Sequence, residues 1–259
     1  MALDDGGAEI DPATTPDGVG LMARIDAELA AAEAVRAHRL GLARQLSSVI
    51  PDAAARIEGR VLQRSGSHAL EEDLRGGIAE ALRDRGELVM TEAKLAVPGW
   101  PVNLGGFDLA VVTENTLVVG ETKWADGNLY ESMWDIFKLA SAAQIPRVSA
   151  SVAIYGAPKK HWSRPDTCAR LFEDRQVLPH QLMLGRANEW AKNLAGSTAT
   201  PSAVPLQVEL TLLTAASVTV LGKEWEIRAV SVDGYPRDIT LKDGWPAAEL
   251  STKAQPYAW

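Results

Sequence analysis

Apolar residues at three- and four-residue spacing, Leu21, Ile25, Leu29, Ala32 and Val35, predict a long helix reaching about Ser48 with one apolar face. That face reads as a packing or partner surface. Pro51 interrupts the pattern, and a second helical stretch over 53–62 follows before RSGSH breaks it. Between His68 and Arg85 the stripe Leu70, Leu74, Ile78, Ala81 and Leu82 predicts a third helix, which Gly86 stops. The period then changes. Residues 87–97, 107–113 and 116–124 alternate as strands do, and Val148–Tyr155 reads as a fourth strand. A helix over 129–143, with Leu129, Met133, Ile136, Phe137 and Ala140 inward, joins the third strand to the fourth, so those two should run parallel. Lys138 falls opposite that stripe and is assigned to the surface.

Beyond Tyr155 the pattern predicts a basic loop, a helical stretch over 168–194, a Gly/Ser/Thr/Pro linker over 196–205, and strands at 207–214, 217–221 and 224–232. The fold class is therefore α/β, with a mixed central sheet flanked by helices. Four segments follow: a flexible leader over 1–18, a helical segment over 19–66, a core over 67–157 of order αβββαβ, and an α+β extension over 158–259 packed on that core.

Composition narrows the function classes. No apolar run approaches the roughly 18 residues that a membrane helix needs, and the acidic start MALDDGGAEIDP lacks the order of a secretory signal. Cys168, in PDTCARLF, is the only cysteine and has no disulfide partner, so a cytoplasmic setting and an inert thiol are expected. The net charge of −8 argues against a protein that coats nucleic acid through general electrostatics. From Pro158 onward there are 12 Lys/Arg against 11 Asp/Glu, so any attraction for phosphate must be local.

The informative stretch is GGFDLAVVTENTLVVGETKW. A turn centred on Glu114–Asn115 sets Thr113 opposite Thr116 and Asp108 opposite Glu121. Alternation adds Lys123 to the same face, with Gly106 across from it leaving room beside the ammonium. Opposed like charges on neighbouring strands repel, so Asp108→Ala is expected to leave metal-free stability unchanged or slightly improved. Hard divalent cations choose carboxylate oxygens, and such an ion would remove the repulsion. A solvated salt bridge on a half-exposed hairpin is the plain alternative, but the apolar Leu109, Val111, Val118 and Val119 mark central strands where unpaired charge is costly.

With its preceding helix and its following helix and strand, this D…E-T-K arrangement resembles the PD-(D/E)XK, or restriction-endonuclease-like, nuclease superfamily over about His68–Tyr155. One departure is Phe107 where proline commonly precedes the first acid. The resemblance implies a Mg²⁺-dependent endonuclease, with Mn²⁺ able to substitute, acting on DNA ahead of RNA in bacterial defence, repair or mobile-element biology. It implies that Asp108, Glu121 and the Thr122 carbonyl bind metal and that Lys123 is catalytic. It also implies a further acid from the preceding helix, for which Glu71, at the edge of the apolar stripe, is favoured over Glu72.

The basic cluster PKKHWSRP offers Lys159, Lys160 and Arg164 for phosphates and Trp162 for stacking on an exposed base, with a solvated loop as the alternative. Parallel third and fourth strands would bring this loop to the same sheet edge as Lys123. His180 and the other tryptophans carry no motif and are assigned to packing. The competing function is a catalytically inactive nuclease-like module that binds nucleic acid, a partner protein or a second copy through the amino-terminal helix. No membrane partner is expected.

Overall fold

The computed structural model describes residues 16–66, 69–95, 106–113, 115–124, 135–136, 138–140, 142, 145, 147–163, 172–173, 176–177, 181–184, 202–205 and 207–235. Two compact units divide the chain, residues 1–40 and 41–259. Helix α1, Pro16–Ser47, begins in the first, where Leu21, Ile25, Leu29 and Val35 are exposed. The helix starts at Pro16, within the 1–18 expected as a leader, and residues 1–15 lie outside the described ones.

The second unit is built on one mixed sheet. Helices α2 (Ile50–Gln63) and α3 (Glu71–Asp84) precede strands β1 (Leu88–Lys94), β2 (Gly106–Val112), β3 (Leu117–Trp124) and β4 (Val148–Pro158). After a 3₁₀ turn at Lys159–His161 come β5 (Gln176–Val177), β6 (Gln181–Leu184), β7 (Ser202–Pro205), β8 (Gln207–Val220) and β9 (Lys223–Tyr235). Strand order is β1-β2-β3-β4-β9-β8-β5, with β6 and β7 forming a separate pair. Strands β3 and β4 are parallel, as the intervening helix requires, and the other pairings are antiparallel.

Each helix is placed by its apolar stripe. In α3, Leu74, Ile78, Ala81 and Leu82 are buried, and in α2 Ile50, Ala53, Ile57 and Val61. Together they meet Leu109, Val111, Val118, Val152, Ile154, Ile227 and Ala229 from one face of the sheet. Asp73 starts α3 by accepting the Leu70 N–H at 2.8 Å and pairs with Arg64, the C-cap of α2, at 2.6 Å. Glu58 of α2 accepts the Leu221 N–H at 3.0 Å, so the β8–β9 turn is fastened to the helix layer.

Three expectations change. The segment over 168–194 is not one helix, since 176–177 and 181–184 are strands; Cys168 and His180 lie outside the described residues. The runs at 207–214 and 217–221 form one strand, β8, with a register shift between Leu212 and Thr214. Strand β9 pairs with β4, so the carboxy-terminal part continues the central sheet edge to edge. Propensity favoured a helix because the polar positions of 168–194 do not alternate cleanly, whereas pairing in the folded chain selects strands.

At the far end of β4, Gly156 lies against Trp124, whose ring stacks on Trp225 with centroids 4.3 Å apart. A Cβ at Gly156 would fall inside that ring. Gly156→Ala should cost about 1–3 kcal/mol by overpacking. Urea unfolding followed by tryptophan fluorescence should show both the lower midpoint and a changed native-state spectrum.

Candidate active site

The predicted hairpin register is the observed one. Leu109 pairs with Gly120, Ala110 with Val119, Val111 with Val118 and Val112 with Leu117, and the turn closes through the Thr113 N–H donating to Thr116 O at 3.0 Å. Beyond Leu109 and Gly120 the described ladder stops, and here the site begins.

Asp108 sits at this point on β2. Its Oδ2 accepts the backbone N–H and the hydroxyl of Thr122, each at 2.7 Å, and its Oδ1 accepts from Arg75 Nη1 of α3 at 3.1 Å. Glu121, on β3, is buried and meets Lys138 Nζ at 2.6 Å. Lys138 also donates to Gly106 O at 2.7 Å and lies over the Phe107 ring. Lys123 pairs with Glu71 Oε2 at 3.2 Å. One helix therefore addresses both strands, because Glu71 and Arg75, four residues apart, share a side of α3 and reach β3 and β2 respectively.

Several expectations need correction. Strict alternation placed Asp108 and Glu121 together on one face; instead each acid turns to its own partners, Asp108 to Thr122 and Arg75, Glu121 to Lys138. The reason is the end of the ladder, where the Thr122 N–H is bound by a carboxylate instead of a strand carbonyl. Asp108→Ala would therefore orphan a buried donor and should destabilise the protein, contrary to the expected gain. Lys138 is 2% exposed, not a surface residue: ion pairing with Glu121 decides its position over the apolar stripe. The smallness of Gly106 serves the neighbouring strand, since a Cβ there would press on the Glu92 backbone at 3.2 Å. Of the two candidate helix acids, Glu71 reaches the cluster, while Glu72 is exposed and faces Arg64 at 3.9 Å.

The basic loop divides. It leaves β4 at the end where Lys123 pairs with Tyr155, as parallel strands demand, and Lys159 and Lys160 are exposed. Trp162 is not available to a base. It is buried, its indole N–H donates to Glu226 O at 3.0 Å, and Arg228 covers its ring. Arg164 lies outside the described residues.

Asp135, on the helical segment that includes 138–140, was not singled out by the sequence. It lines a narrow crevice with Glu121, Ala153, Ile154, Tyr155 and Phe172. Desolvation raises its pKa from 3.8 to about 7, with Lys123 and Lys138 opposing and Asp108 and Glu71 adding to the rise. Glu121 is raised well above its usual value, first by burial, against Lys138 and with Asp108. Glu71 is raised by burial, opposed by Lys123. The only sequence signal for Asp135 was its three-residue spacing from Lys138, which puts both on one side of a helix.

Glu71, Asp108, Glu121 and Asp135 thus share one electrostatic neighbourhood with Arg75, Lys123 and Lys138. The upward shifts of Glu71, Glu121 and Asp135 come first from burial, which the neighbouring cations offset only in part, and carboxylate oxygens are the donors that hard divalent ions choose. By charge and donor chemistry the residues fit such an ion. Among the described residues no three Asp, Glu, His or Cys side chains already stand as a metal cage.

No family model, curated protein or solved structure matches the chain.

Two outcomes follow from the charges. Because the folded protein holds Asp135 protonated where the unfolded chain does not, stability should be lost as pH rises from about 4 to about 7. Asp135→Asn should remove that part of the decline, so the difference in melting temperature between wild type and variant should itself change with pH. Lys138→Met leaves Glu121 buried without its cation and should cost about 3–5 kcal/mol at pH 8, and less at pH 5, because the upward shift of Glu121 makes protonation the easier relief as pH falls. Denaturant titrations at the two values check this.

Proposed function

We propose that this chain is a metal-dependent nuclease of the PD-(D/E)XK type that hydrolyses phosphodiester bonds of nucleic acid, DNA ahead of RNA. The observation that carries this reading is the meeting of an acid from the preceding helix, an acid on β2 and the Glu-Thr-Lys run of β3 at one point of the sheet. On this reading the helix–three-strand–helix–strand order around that point is the nuclease core.

In the proposed mechanism Asp108, Glu121 and the Thr122 carbonyl would hold Mg²⁺, or Mn²⁺ in its place. When bound, such an ion lowers the pKa of water and neutralises charge on a phosphoryl group. Lys123, oriented by Glu71, positions the attacking water, or takes the water's proton once its own has passed to the Glu71 carboxylate. Lys138 opposes the rise that burial imposes on Glu121 and fixes its carboxylate, and Thr122 holds one oxygen of Asp108. Lys159 and Lys160 contact phosphates at the same end of the sheet; Trp162 is left out of this role.

A second reading draws on the same contacts. Asp108, Glu71 and Glu121 each already have a basic partner, as in a structural ion-pair network, and the protein would then be an inactive nuclease-like binding module. For the membrane there is one observation: among the described residues no helix is long and apolar enough to cross it.

Incubation with single-stranded and duplex DNA and RNA, with and without Mg²⁺ or Mn²⁺, separates the readings. Asp108→Asn is the better probe than alanine, because its amide oxygen can still accept from Thr122. Cleavage by wild type should need the ion, Asp108→Asn should abolish it, and Lys123→Ala should slow it about 10²–10⁴-fold. Mg²⁺ should also raise the melting temperature of wild type. No cleavage of any substrate, with no effect of the ion on melting, would leave the structural network.

Binding is tested apart from chemistry. Replacing Lys159 and Lys160 by alanine should weaken duplex affinity and lower the slope of log affinity against log salt by about two. An unchanged salt titration would return the loop to solvent.

A further inference from the structure

Within the proposed nuclease reading, the geometry points to a positioning device for Asp108: an Arg75–Glu92 pair that fixes this acid from the side away from Glu121. Glu92 lies in β1 between the pairs Thr91–Leu109 and Ala93–Phe107, and so stands next to Asp108 on the adjoining strand. Two carboxylates on neighbouring strands at this point would repel. A single guanidinium answers both, for Arg75 meets Glu92 Oε1 as well as Asp108 Oδ1.

The backbone carries a second mark of the same device. Glu92 has φ of +52°, a strained left-handed conformation that a glutamate in mid-strand rarely takes. Close approach of the strands is built in, because even a methyl group on Gly106 would crowd the Glu92 backbone. Asp108 in turn leans to Thr122 and α3. The strained residue therefore coincides with the place where the functional acid leaves the expected face. Its carboxylate is half exposed, at 50%, so burial gives no reason for the strain, whereas fixing Arg75 does.

The arrangement works as follows. Glu92 limits the guanidinium to one position, Arg75 then holds Oδ1, and Thr122 holds Oδ2, leaving Asp108 one orientation. Arg75 and Glu92 are positioning residues, and neither needs to touch substrate.

Asn tolerates positive φ and lacks the charge, so Glu92→Asn separates strain from positioning. Its melting temperature in chelator should equal or exceed that of wild type, while Mn²⁺ affinity and cleavage should fall about 10–100-fold, the usual effect of losing a group that orients a ligand. Arg75→Lys should retain more affinity than Arg75→Met. Unchanged Mn²⁺ affinity and cleavage in Glu92→Asn would overturn the proposal. A metal-free arm keeps this independent of the nuclease reading: melting of Glu92→Asn, Asp108→Asn and the double variant should be non-additive, and additive once Arg75 is methionine. Additivity in the presence of Arg75 would overturn the device whatever the protein cuts. Intact coupling in a wild type that neither binds Mn²⁺ nor cleaves would support the device as the holder of Asp108 and retire the nuclease reading alone.

Discussion

Glu121 is an acidic side chain on β3, an interior strand with β2 on one side and β4 on the other, and much of the site follows from compensating it. A carboxylate there either pairs or gives up its charge. Lys138 supplies the pair, and to do so the helical segment after β3 must lie with a lysine inward, tied by the same ammonium to the Gly106 carbonyl. This single contact joins β2, β3 and the helix that covers them. It also brings Asp135 to the crevice beside Glu121, where burial raises the pKa of a second acid. The acids are therefore concentrated at one point, not spread over a surface.

The opposite side of the sheet is the stable frame. Helices α2 and α3 bury their apolar stripes on it and are tied by Arg56–Asp84, Arg60–Glu80 and Arg64–Asp73. Because α3 is held along its length, its first two turns can present Glu71 and Arg75 to the strand ends with little freedom. A functional group held on a packed helix keeps its place better than one on a loop. The geometry of Lys123 and Asp108 thus depends on hydrophobic packing that neither residue takes part in.

Elements with strong periodicity were legible in the sequence. The stripe Leu74–Ile78–Leu82 defined α3, and the Thr113–Thr116 turn gave the β2–β3 register residue for residue. That register was enough to bring Asp108, Glu121 and Lys123 to one region. What it could not give were partners distant in sequence. Arg75 and Glu71 reach the strands only once α3 is docked, and Lys138 is buried because of a charge, against the pattern of its own helix. Alternation also assumes an unbroken ladder, and it fails at Asp108, where the ladder ends and Glu92 turns left-handed. In the carboxy-terminal part, β5 and β6 arise from pairing that local pattern does not encode.

The central claim is that this cluster accepts a divalent cation between acids that now face lysine and arginine. The most direct test is a crystal soaked in Mn²⁺ and measured at a wavelength where manganese scatters anomalously. The account predicts a peak bordered by the carboxylates of Asp108 and Glu121, absent from crystals of Asp108→Asn. No peak in the wild type at saturating Mn²⁺, with the Asp108–Arg75 and Glu121–Lys138 pairs intact, would contradict it.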